Sequence, residues 1–116
     1  MGWGEASDTT KNDVIRVIAD PGICGFPCII EARKMACCIV SIKFTGSECK
    51  QIRRLSKLVN KTTLRDLFAP ISKNPVFISA ERAGCHPSCT IPVAVLKAVE
   101  VAMDMALPRD VVIRFE

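Results

Sequence analysis

The chain has 116 residues, 49% of them apolar, with seven cysteines, one histidine, no tyrosine and a net charge of +4. That length suits one domain, able to bury about two-thirds of the surface its unfolded chain exposes, and the apolar content excludes disorder beyond the first dozen residues. The most apolar stretch, Ile91 to Leu107, is interrupted by Pro92, Lys97, Glu100 and Asp104, so it falls short of the roughly 20 uncharged residues that a spanning helix needs.

Residues 1–12 are polar, lack the apolar run of a secretory signal and read as a flexible tail. The expectation is a cytoplasmic chain with a single domain over residues 13–116. Disulfides are rare in that compartment, so its cysteines serve as small buried hydrophobes, metal ligands or a redox site.

In chain order, Val14, Ile15, Val17 and Ile18 form a short apolar strand. Asp20 to Cys28 contains two prolines and two glycines and reads as a turning loop. Ile29 to Lys34 is a second strand. Cys37 to Phe44 is a third, with Cys38, Val40, Ile42 and Phe44 alternating onto one face; Cys37 and Cys38 then fall mid-strand as buried apolar residues. Gly46-Ser47-Glu48-Cys49 opens a helix, with Ser47 as N-cap and Ile52, Leu55, Leu58 and Val59 as its buried stripe.

Thr62 or Thr63 caps a shorter helix that Pro70 ends, and Val76, Phe77 and Ala80 suggest another that stops at Gly84. Cys85 to Thr90 is a second compact loop. Thr90 caps a strong helix that carries Pro92 in its first turn and turns Leu96, Val99, Ala102 and Met103 to the core. Asp110 to Phe115 is a last strand. The order predicts an α+β fold: a three-stranded antiparallel meander packed on helices, with an extra C-terminal strand.

Three cysteines fall where chemistry is favoured. Cys24 lies in a glycine-flanked loop, Cys49 in the first turn of one helix and Cys89 just before another. A helix N-terminus presents unpaired N–H groups and positive potential, which favour thiolate, the form that binds metal and attacks electrophiles. Gly25 lets the backbone approach a bulky ligand without a side-chain clash. His86, three residues before Cys89, can complete a four-ligand metal site of Cys24, Cys49, His86 and Cys89. Cys28 and Cys85 are reserve ligands.

Against this stands the plainer reading of each cysteine as a buried small hydrophobe and of His86 as a loop residue. Lys50, Arg53, Arg54, Lys57 and Lys61 form either a solvated face or a dock for an acidic partner. No aromatic residue interleaves with them, which argues against nucleic acid. Soft thiolates with one imidazole suit an iron–sulfur cluster or zinc. The expected function is therefore a metal or cluster binding protein, not an enzyme. A thiol-based sulfur carrier or enzyme, with Cys49 or Cys89 as nucleophile, is one alternative; a non-catalytic interaction module is another.

The order of these parts resembles the U-type iron–sulfur cluster scaffold family, the NifU N-terminal-like fold. Cys24-Gly25 resembles that family's Cys-Gly loop, Gly46-Ser47-Glu48-Cys49 its second cysteine motif, Lys61-Thr62-Thr63-Leu64 its Gly-Lys-Thr-Leu-type helix start, and His86-Pro87-Ser88-Cys89 its His-Cys motif. The likeness covers residues 13–106 and implies a scaffold, carrier or sensor that meets a sulfur donor or a cluster acceptor protein. Two departures stand out. Phe26 replaces an acidic residue that helps keep the family's cluster transferable, which implies a more apolar pocket. His86 and Cys89 are separated where the family has them adjacent. A second likeness, to small prokaryotic proteins of unassigned activity that carry the phrases Pro21 to Phe26 and Ala106 to Val111, spans nearly the whole domain and implies no activity.

Overall fold

The computed structural model describes residues 14–22, 26–46 and 48–116. The expected tail at 1–12, Cys24, Gly25 and the expected N-cap Ser47 lie outside the described residues. The fold is α+β, as the sequence predicts: a four-stranded antiparallel sheet in the order β1-β2-β3-β4. Its strands are β1 (Ile15–Ala19), β2 (Cys28–Ala36), β3 (Ile39–Thr45) and β4 (Lys61–Thr63). The helices are α1 (Lys50–Leu58), α2 (Leu64–Leu67), α3 (Pro75–Ala83) and α4 (Ile91–Ala102), with a 3₁₀ turn at Ile71–Lys73. Among the described residues no helix is long and apolar enough to cross a membrane.

The meander follows from period-two alternation. Ala19, Cys28, Ile30, Ala32, Val40 and Ile42 are buried on one face, with Val17 and Phe44 half-buried beside them. The opposite face carries Arg16 and Glu31, which form a 3.3 Å ion pair across neighbouring strands. α4 lies across β1 and β2 on the apolar side, α3 packs on α4, and α1 packs on α3. Ile91, Pro92, Val95, Ala98 and Val99 of α4 are buried there. Met103 is buried as expected, while Leu96 and Ala102 are partly buried against the same core.

Several expectations are corrected. Cys37 and Cys38 are not mid-strand: they are the two-residue turn between β2 and β3, and both are exposed. Leu58 leaves the stripe of α1 and is 45% exposed. The helix ends there, and Val59, in extended backbone, turns inward instead. The fourth strand is Lys61–Thr63, whose residues pair with Ile39, Val40 and Ser41 of β3. Residues 110–115 form no strand, and Val111, Val112, Ile113 and Phe115 are exposed. Thr90 stands at the N-cap of α4, but its side chain makes no capping hydrogen bond.

The caps that do form are explicit. Thr63 Oγ1 accepts from the Asp66 amide at 3.1 Å, and Asp66 Oδ2 accepts from the Thr63 amide at 3.1 Å, a reciprocal capping box that starts α2. Asn74, 2% exposed, caps α3 by accepting from the Val76 amide at 3.0 Å and donates to the Asp66 carbonyl at 2.9 Å. α3 stops at Gly84, whose φ of +84° is a left-handed conformation that glycine adopts without penalty. The Cys85 amide then bonds back to the Ala80 carbonyl at 2.9 Å, and the Gly84 amide to Glu81 at 3.0 Å.

Candidate functional site: a cysteine-bordered cleft

That stop after α3 places the first residue of the site. The bond from Cys85 to Ala80 fixes Cys85 directly beyond the helix end, half-buried against the core. The Cys89 amide bonds to the His86 carbonyl at 3.0 Å, closing the loop into a tight turn before α4. Cys49 is the N-cap residue of α1, and its Sγ donates to Gln51 Oε1 at 3.1 Å. Cys28 begins β2 and faces the core, fully buried.

These segments meet at one open cleft. The α3–α4 loop contributes Cys85, His86 and Cys89, the start of α1 contributes Cys49 and Gln51, and the loop after β1 contributes Pro21 and Phe26. Phe26, 42% exposed, forms part of the wall and makes it apolar. The Oγ1 of Thr90, next in sequence to Cys89, is buried with no hydrogen-bond partner among the described residues.

The sulfurs feel one another. Burial pushes the Cys28 thiol up to about 11, and the charges that Cys89 and Cys49 would carry push in the same direction. Cys85 is also pushed up to about 11, first by burial, then by Cys89 and Cys49, and then by its hydrogen bond with Cys89. Crowding of like charges and desolvation both disfavour thiolate, and a bound cation reverses both effects. Chemically, Cys28 and Cys85 are soft donors whose surroundings favour the thiol form.

The expected site residues therefore divide. Cys49, His86 and Cys89 are brought to one cleft. Cys24 and Gly25 fall outside the described residues. Of the two reserve cysteines, Cys85 lines the cleft, and Cys28 lies close enough to be perturbed by Cys89 and Cys49. Gln51 escaped the sequence reading, although its position two residues into the helix that Cys49 opens is the signal that could have found it. Among the described residues, no group of three or more His, Cys, Asp or Glu side chains is gathered closely enough to hold a metal ion. The basic residues Lys50, Arg53, Arg54 and Lys57 are exposed on α1.

No curated protein and no solved structure matches the chain. Its residues 15–115 match a described family of unknown function, DUF6951, and the chain belongs to that family.

Proposed function

We propose that the cleft binds a soft metal centre, either an iron–sulfur cluster or zinc, and that the protein stores, carries or senses it, as a U-type scaffold does. One observation carries this reading: three cysteines from two chain segments, Cys49 and the pair Cys85 and Cys89, line a single cleft with the molecule's one histidine, and after burial it is Cys89 and Cys49 that push up the ionisation of Cys85 and of nearby Cys28. The donor set fits, because thiolate and imidazole are the ligands that soft and borderline ions select. Cys49, Cys89 and Cys24 are the proposed thiolate ligands and His86 the fourth, with Cys28 and Cys85 as the adjoining sulfurs. A cation there would supply charge neutralisation. The chain supplies the donors, an apolar wall at Phe26 that limits water, and thiols that release protons as they bind.

The test is metal and sulfide content, with a visible spectrum, on protein purified without oxygen. Iron with sulfide supports a cluster; near-stoichiometric zinc supports a mononuclear site. Serine at Cys24, Cys49 and Cys89, one at a time, is expected to abolish retention. Unchanged stoichiometry in all three would sink the proposal.

A second reading has its own support in the position of Cys49, at the N-cap of a nine-residue helix and on the same cleft as His86. There Cys49 would act as nucleophile or sulfur carrier. Its mark is alkylation of Cys49 much faster than of any other cysteine near neutral pH, in a chain that holds no metal.

A further inference from the structure

Cysteine is among the most buried of residue types, and turns favour Gly, Asn, Asp, Ser and Pro. The β2–β3 hairpin breaks both tendencies. Ala36 pairs with Ile39, so Cys37 and Cys38 alone make the turn. Neither has positive φ, since Asp104 is the one described non-glycine residue that does. The turn is thus not one of the primed types that two-residue hairpins prefer. A register shift between Lys34 and Ala36 takes up the mismatch. The Leu64 amide, at the start of α2, donates to the Cys38 carbonyl at 3.0 Å and ties the tip to the body of the domain.

Both thiols are exposed, and Cys37 Sγ donates to Cys38 Sγ across 3.5 Å. Two sulfurs at that spacing, each about 2.3 Å from a shared atom, subtend about 100° at it. This lies between a right angle and the tetrahedral angle, the range used by pyramidal three-coordinate ions. A direct disulfide is less well served. Adjacent Cα atoms are about 3.8 Å apart, below the span of about 4.4–6.8 Å that ordinary disulfides bridge. Met35, a further soft donor, is exposed in the same strand end. The nine residues of β2 put the tip about 26 Å from the Cys28 end of the strand.

We propose that Cys37 and Cys38 form a second ligand site, separate from the cleft: a bidentate dithiol for a thiophilic trivalent ion of the arsenic(III) type. The chemistry is exchange without redox change. With a trivalent arylarsenical oxide, two As–S bonds form, the arsenic–oxygen bonds break, and the two thiol protons leave with that oxygen as one water.

The test uses the reduced full chain, treated with chelator, and phenylarsine oxide as probe. Intact mass gives the number of equivalents bound, and protection from iodoacetamide shows which cysteines are covered. The wild type is expected to bind one equivalent more than Cys37→Ser/Cys38→Ser. Each single serine variant is expected to weaken that equivalent about 100-fold or more, the loss expected when a second, tethered contact is removed. Serine suits an exposed turn, so folding is not at risk. Cys49→Ser is expected to leave protection of Cys37 and Cys38 intact. Equal stoichiometry in wild type and double variant, undiminished affinity in either single variant, or loss of tip protection in Cys49→Ser would each overturn the proposal.

Discussion

Cys28 offers a quantitative handle on the cleft. Its thiol is fully buried, and its ionisation is pushed from an ordinary value of 9.0 to about 11. Between those two values the unfolded chain gives up the Cys28 proton while the folded chain keeps it. The unfolded state then binds fewer protons, so stability falls as pH rises. The contribution is fully present below pH 9 and is lost by the time pH reaches about 11. At about 1.4 kcal/mol per pH unit, the loss is on the order of 3 kcal/mol. The chain has no tyrosine, so lysines and the other cysteines are the remaining groups that titrate there, and they are common to the wild type and Cys28→Ala. Urea unfolding of both proteins at pH 8, 9, 10 and 11, with reductant and chelator present, isolates the Cys28 part. The advantage of the wild type over Cys28→Ala is expected to shrink by about 2–3 kcal/mol across that window. Parallel curves, with a constant difference at every pH, would refute the reasoning.

Other perturbations have simpler outcomes. Leu55→Ala, at a fully buried position, is expected to cost about 2–5 kcal/mol in urea unfolding. Thr63→Ala removes the half of the capping box that Thr63 Oγ1 accepts, leaving the Thr63 amide bonded to Asp66, and is expected to cost about 1 kcal/mol. Gly84→Ala meets no steric clash, the nearest side-chain atoms being at 3.7 and 3.8 Å, yet the left-handed backbone is expected to cost about 1–2 kcal/mol; by unsettling the bond from Cys85 to Ala80 it is also expected to speed alkylation of Cys85. If thiols raised to about 11 are ligands, zinc affinity measured by competition is expected to rise at least about tenfold per pH unit between pH 6 and 8.

The meander was legible because Ser41 and Lys43 alternate with Val40, Ile42 and Phe44 in β3, and because Arg16 and Glu31 mark the outer face beside Val17 and Ile30. The tip was not. Cys37 and Cys38 continue the apolar pattern and carry none of the glycine, asparagine or proline that marks a turn. β4 was read as a helix start, since three residues are too few to show a period and only pairing with β3 makes them a strand. Asp110 to Phe115 failed in the opposite direction: the pattern is strand-like, but no neighbouring strand pairs with it. In the cleft, loop positions singled out Cys49, His86 and Cys89, and all three line it. The closeness of Cys28 and Cys85 depends on where a strand begins and where a left-handed cap points, which are properties of packing rather than of spacing.

The cleft draws its walls from Pro21 to Ile91, residues far apart in the chain. Anything bound across it therefore acts as a cross-link that closes a loop of most of the domain. Such a link restricts the unfolded ensemble more than a local clasp does, and ligand concentration becomes a control on how long the whole chain stays folded. Filling the cleft and resisting unfolding or proteolysis would then be one event seen by two assays.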